Sequence, residues 1–377
     1  MQMINRGPRQ LLAEVQQPGL CIGCGSCVEL CPYFRSHGGK TVMLHDCDLP
    51  EGRCHAWCPK TELDLEGLAQ ELWGAPYSAQ GMGPHLAVVA AKAGPRLEAG
   101  RYQAGGTVSA LVCAALEQGL VQGAILTGGR GMDTAPALAT TPEEVMACSG
   151  SKFTAAPTLA ALNRAQAQGC GPVLVVATPC QATALAQRWA KPWPSRGAAG
   201  PAELVIGLFC NWSLDPQGLT GFLAQRVELE SIRSMDIPPP PAGVLRVETT
   251  EGSLEIPFDE IRDLIPPACA MCPDMTSEWA DLSVGMYEGR PGWNTLVVRN
   301  EKARALTEAA VEAGWLVVEE FPKANKEHLV HAAQGKRSRG LGAALAQSLL
   351  GVSGEDQPKA LRVSPELYRA VESGEVA

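Results

Sequence analysis

No apolar run in the sequence approaches the roughly 18 residues that a membrane-crossing helix requires, so membrane insertion is not expected. The first residues, "MQMINRGPRQLLAEV", lack the apolar stretch of a secretory signal, which points to a cytoplasmic protein. Large basic blocks are missing and the net charge is −9, which argues against nucleic acid as a partner. A complete Gly-x-Gly-x-x-Gly fingerprint is also missing, so a classical dinucleotide fold has no support. There is no internal repeat. What remains is a globular balance of 46% apolar and 19% charged residues in 377, enough for two or three domains.

Cysteine, by contrast, is plentiful. Fourteen cysteines in a reducing compartment point to metal or redox chemistry rather than to disulfides. Their placement is uneven: seven lie between Cys21 and Cys58, and two more at Cys269 and Cys272. The segment "GLCIGCGSCVELCP" (19–32) carries Cys21, Cys24, Cys27 and Cys31, the last followed by Pro32. This Cys-x2-Cys-x2-Cys-x3-Cys-Pro run is the spacing of bacterial ferredoxins. The short spacings let three thiolates wrap one cubane, and Gly23, Gly25 and Ser26 permit the tight turn. The fourth thiolate points toward a different cluster. Zinc or plain buried thiols are the alternatives.

A shorter partner run, "CDLPEGRCHAWCP", holds Cys47, Cys54 and Cys58 before Pro59. In a pseudo-twofold arrangement Cys58 completes the cluster of Cys21, Cys24 and Cys27. Cys31, Cys47 and Cys54 are then left for a second cluster that is one cysteine short. Its fourth ligand comes from elsewhere or is not cysteine, or the three are structural thiols.

Beyond the first 66 residues the texture changes from "HLAVVAAKAG" (85–94) onward. "GGTVSALVCAALEQGL" reads as a helix capped by Thr107 or Ser109. "GAILTGG", "GPVLVVATPC" and "AELVIGLFC" read as strands, with helices after the last two, an alternation that implies parallel pairing. "IPPPPAG" (237–243) is a break, followed by a hairpin turning at Glu251-Gly252, three further strands and one helix. The stretch from about 325 to 377 reads as helical. The expected organisation is a ferredoxin-like domain over 1–66 and a core in two halves, 67–240 and 241–335, followed by a helical tail over 336–377.

Cys180 follows the buried strand 172–177, and Cys210 ends the buried strand 203–209. As parallel neighbours, these strands would set both thiols at one carboxyl edge, where open α/β sheets bind ligands. "CAMC" (269–272) adds Cys269 and Cys272 from a loop, and four converging thiolates there would hold a further 4Fe–4S cluster. Cys180 and Cys210 as ordinary buried residues is the alternative. Cys113, Cys148 and Cys170 read as lone core or surface thiols. Gly105 and Gly106 before a helix, and Lys152 in "SGSKF", are possible phosphate contacts.

The motifs "AGGTVSALVCAALEQGLVQGAILTG", "SGSKFTAAPTLAAL", "VVATPCQATAL", "IGLFC" and "CAMCPDMTSEWADLSVG" then "GWNTLVVR" occur in order over about 80–340. Together they resemble the family of coenzyme F-420 hydrogenase/dehydrogenase beta subunits. That family also includes the plant hydroxymethyl-chlorophyll reductase. The N-terminal cysteine runs resemble the ferredoxin-type extension of longer members. The resemblance implies an α/β (mixed α+β) flavin-binding core with a small ferredoxin-like iron–sulfur domain. It implies FAD with contacts at Gly105, Gly106, Thr107, Ser109, Ser151, Lys152, Thr178 and Gln181, and a cluster on Cys180, Cys210, Cys269 and Cys272.

In all, two or three 4Fe–4S clusters are expected. The implied activity is that of an electron-transfer subunit. It would join a soluble hydride carrier (deazaflavin or NAD(P)H) to partner redox subunits such as a formate dehydrogenase, hydrogenase or heterodisulfide-reductase-like complex. A stand-alone reductase of an organic substrate and a flavin-free cluster scaffold are the other readings.

Overall fold

The computed structural model describes residues 6–98, 102–129, 131–193, 202–238, 242–355 and 359–375. Part of the expected break, residues 239–241, lies outside these. The centre is an eight-stranded mixed sheet. Its order is Leu316–Glu320, Ala87–Ala93, Asn294–Val298, Leu282–Met286, Leu204–Leu208, Val173–Ala177, Gly123–Gly128 and Ala135–Ala139. The four strands from Leu282–Met286 to Gly123–Gly128 run parallel, as the strand–helix alternation predicts. The outer strands pair antiparallel; short turns join Leu282–Met286 to Asn294–Val298 and Gly123–Gly128 to Ala135–Ala139, while Ala87–Ala93 meets its two partners from far along the chain.

Side chains alternate across the pleat, so each strand feeds two cores. Leu174, Ile206, Leu282 and Leu296 pack against helices Thr107–Glu117 and Glu301–Glu312. Val175, Val205 and Ile125 face helices Thr158–Ala167 and Pro179–Ala190. The same second core takes in Leu11, Leu20, Ile22 and Phe34, so the first residues are built into the body of the protein.

That junction is polar at its centre. Asn163 donates to the carbonyls of Ser26 at 3.1 Å and Val28 at 2.6 Å. Arg188 donates to Ser26 O at 2.9 Å and Asn163 Oδ1 at 2.6 Å, and its guanidinium lies 4.8 Å from the Trp57 ring. Burial pulls the Arg188 pKa down to about 10; Nη2 has two acceptors, while Nε is buried without a partner among the described residues.

Two expectations need correction. Helix Thr107–Glu117 is capped by Gly106 in a left-handed conformation, with no side-chain cap from Thr107 or Ser109. A Cβ at Gly106 would meet the Tyr102 ring at 2.6 Å, so only glycine turns the chain there. The last residues are not simply helical. Helix Lys323–Ala346 begins close to the expected residue 325, but two short strands follow it, Leu350–Val352 and Leu361–Val363. These strands pair in parallel with each other and with Leu63–Asp64 from the N-terminal segment. Arg362 binds Glu62 across that seam, and Arg6 reaches Glu62 at 2.9 Å from the other side.

Candidate redox site

Three groups of thiols gather in space, and their membership follows the spacing argument. Cys21, Cys24, Cys27 and Cys58 line one small cavity together with Ile22, Thr41 and Lys60. Cys31 and Cys47 act electrostatically on Cys54 as a second group. Cys180, Cys210, Cys269 and Cys272 form the third, brought from two strand ends and one loop. Cys113 is sealed in a helix and Cys170 is exposed, so neither joins a group. The further cysteine coupled to Cys54 is Cys27, which already belongs to the first set.

These sites are costly for bare thiolates. Burial, then repulsion from Cys27, pushes Cys24 up to about 12. Burial likewise lifts Cys54 to about 11, and holds Cys27, Cys58, Cys180 and Cys210 well above the ordinary thiol range. At neutral pH such groups are uncharged thiols; a positive inorganic core would displace their protons and take up the thiolate charge. Four thiols lining one cavity are the soft donor set that an iron–sulfur core takes.

Backbone donors are already aimed at the sulfurs. Thr41 N–H points at Cys21 Sγ at 3.3 Å, and amides of Ser26, Lys60 and Thr61 serve Cys24 and Cys58. The Thr178 hydroxyl and Cys180 Sγ are 3.3 Å apart. Such contacts favour the thiolate and tune a cluster's potential.

The tight N-terminal wrap depends on glycine. Gly23 and Gly25 have φ of +63° and +83°, and added Cβ atoms would meet Gly39 O at 2.0 Å and Pro157 O at 2.5 Å. Gly25→Ala is expected to cut iron retention in the N-terminal segment while the purified chain stays folded. Iron per chain, read against the circular-dichroism spectrum, checks this; full iron content would contradict it.

A cavity of about 980 Å³ opens at the carboxyl ends of the parallel strands, near the upper limit of roughly 300–1,000 Å³ for small-molecule sites. All four thiols of the third group line it, and so do Cys24 and Lys60 of the first. Of the expected flavin contacts, Gly106, Thr107, Ser109, Ser151, Lys152, Thr178 and Gln181 line this cavity. Gly105 does not; it packs on Asn294, whose Oδ1 would lie 2.4 Å from an added Cβ.

Two of the lining residues are occupied with local structure. Lys152 Nζ donates to the carbonyls of Cys148 at 2.8 Å, Ser149 at 3.2 Å and Gly150 at 3.0 Å, and burial lowers its pKa. Gln181 accepts from Thr178 N at 3.0 Å and donates to Ala156 O at 3.2 Å, closing a capping box. Thr107 is different: its hydroxyl is buried without a hydrogen-bond partner among the described residues. That orphaned donor, at a helix start where Thr107 N–H donates to Asn294 Oδ1 at 3.4 Å, fits a polar cofactor edge in the cavity.

Tyr102, Gln103, Asn294 and Lys60 also build this site, and the sequence reading missed them. Lys60, two residues after Cys58, was the one within reach of a motif argument. Its Nζ donates to Ala268 O at 2.9 Å, beside Cys269, so its charge lies between the first and third thiol groups.

Residues 88–163 match the family description "Coenzyme F420 hydrogenase/dehydrogenase, beta subunit N-term", and residues 170–324 match the companion description of that beta subunit's C terminus. The chain belongs to this family. Residues 15–33 also match a "4Fe-4S binding domain".

Among relatives, the coenzyme F420 hydrogenase subunit beta of Methanothermobacter thermautotrophicus is 29% identical over 62% of this chain and 84% of its own length. One of the F(420)H(2) dehydrogenase subunits of Methanosarcina mazei is 25% identical over 77% of this chain and 82% of its own length. In solved structures, a chain of the F420-reducing [NiFe] hydrogenase complex from Methanosarcina barkeri shares the fold. Its TM-score is 0.65 at 24% identity, covering 71% of this chain and 93% of that one.

Proposed function

We propose that this chain is a flavin- and iron–sulfur-dependent oxidoreductase subunit. It would link two-electron exchange with a soluble hydride carrier, deazaflavin or NAD(P)H, to one-electron transfer toward a partner redox subunit. Candidate partners are a hydrogenase, a formate dehydrogenase or a heterodisulfide-reductase-like complex.

One observation carries the reading. A single cavity touches the third thiol group and also Cys24 of the first. A flavin held there would lie against one cluster site with the next beyond it. A bound FAD accepts electron pairs as hydride and releases them singly, which is the conversion that such a neighbourhood serves. Thr107 and the amides at the start of its helix would hold the cofactor's polar edge. Thr178, Thr41 and the amides around the thiols would set the potentials, while buried Arg188 and Asn163 keep the first site docked on the core. The Cys31, Cys47 and Cys54 group would bind the outermost cluster with three thiolates. The relatives named as hydrogenase and dehydrogenase subunits support assembly into a complex.

Anaerobic purification with flavin and iron quantitation tests this. The expected result is one flavin per chain with two or three clusters. A flavin content of zero would remove the enzyme reading and leave a cluster scaffold. Isolation as a monomer that reduces an organic acceptor unaided would favour the stand-alone reductase instead.

A further inference from the structure

One face of helix Lys323–Ala346 also lines the large cavity, contributing Asn325, His328, His331, Ala332, Gly335 and Arg339. Steps of three and four residues place these on a single side of the helix. The helix is fixed by its buried cations. Lys336 donates to the carbonyls of Asn211 and Cys269, and Arg337 is buried against Glu278. Gly340 runs so close to the cysteine loop that an added Cβ would lie 2.6 Å from Cys272 O. The cavity face is therefore held in register with the third thiol group.

Its charges divide into two kinds. His328 Nδ1 lies 3.1 Å from Glu288 Oε2, and Glu288 also lines the cavity. His331 and Arg339 are exposed at the cavity and form no ion pair or hydrogen bond among the described residues. The Arg339 guanidinium folds back over Gly335, within 3.1 Å of where a Cβ would sit, so the missing side chain keeps it against the helix. Ala332 and Gly335 leave a low strip between the imidazole and the guanidinium.

We propose that this face binds the phosphate-bearing end of the soluble two-electron carrier, with Arg339 as the main contact and His331 beside it. This rests on the flavin reading above. A planar guanidinium suits a phosphate by paired N–H donors. Deazaflavin and NADPH both carry phosphate, so the chemistry is shared and the two must be told apart by experiment.

The flavin-loaded full-length chain is titrated anaerobically with deazaflavin and, separately, with NADPH, following fluorescence at equilibrium. Arg339→Gln weakens binding of at least one carrier by about tenfold, and His331→Gln weakens it less. Arg304→Gln, on the helix Glu301–Glu312, changes nothing. The Arg339 effect shrinks as salt rises, because the contact is ionic. In turnover the same variant raises KM and keeps kcat. The carrier whose affinity falls is the physiological class. Unchanged affinity for both carriers in Arg339→Gln, or no binding of either by the flavin-loaded wild type, overturns the proposal. Absence of flavin is visible in the absorbance spectrum before any titration and overturns the underlying reading instead.

Discussion

Cys272→Ser is expected to remove the iron of one cluster, about four atoms per chain, while the N-terminal iron and the flavin stay. Cys272 comes from a loop almost 100 residues beyond Cys180, and only the fold joins it to Cys180, Cys210 and Cys269. Serine cannot replace a soft thiolate, and three remaining thiols in a buried site retain the core poorly. Reduction of the N-terminal clusters by the hydride carrier should fall at least about tenfold, because the step nearest the flavin is gone. Iron analysis and stopped-flow absorbance check both parts. Unchanged iron would remove Cys272 from the ligand set. Equal loss from every cluster would indicate a folding defect.

The largest stability effect is expected at Glu278. Its carboxylate receives Arg337 Nη2 at 2.5 Å on each oxygen and the Tyr77 hydroxyl at 2.7 Å, with Glu278 and Arg337 side chains 0% and 1% exposed. The Arg337 guanidinium also sits 4.0 Å from the Tyr77 ring centre. Glu278→Ala leaves a guanidinium buried without its counter-charge, which costs about 3–5 kcal/mol. For a chain of this size that lowers Tm by roughly 5–15 °C, read by scanning calorimetry. Combining Glu278→Leu with Arg337→Met should restore most of the loss, since an apolar pair of similar volume has no charge to leave stranded. A single variant as stable as wild type would show that this pair does not pin helix Lys323–Ala346.

Much of this site was legible because thiolate spacing is a local rule. Cys21, Cys24 and Cys27 fall within seven residues, and the glycines between them have the positive φ that the turn requires. Cys180 and Cys210 were legible for another reason: two short apolar strands, each followed by a helix, would set their ends on one edge if they were parallel neighbours. That pairing is present.

Other features had no such signal. Leu63–Asp64 pairs with Leu361–Arg362 across almost the whole chain, through strands of two or three residues that carry no period. Arg337 and Arg339 sit side by side in "GKRSRG", which reads as one exposed basic patch. Only the helix rotation separates the buried member from the one facing the cavity. Lys152 was read as a phosphate cation because its surroundings are glycine and serine, yet three local carbonyls take all of its donors.

The most direct test of the central claim is anomalous X-ray diffraction from anaerobically grown crystals, recorded on both sides of the iron edge. Iron peaks enclosed by Cys180, Cys210, Cys269 and Cys272, and by Cys21, Cys24, Cys27 and Cys58, with flavin density beside the first, are what this account predicts. Peaks at the zinc edge on the amino-terminal thiols, or no iron between Cys180 and Cys272, would contradict it.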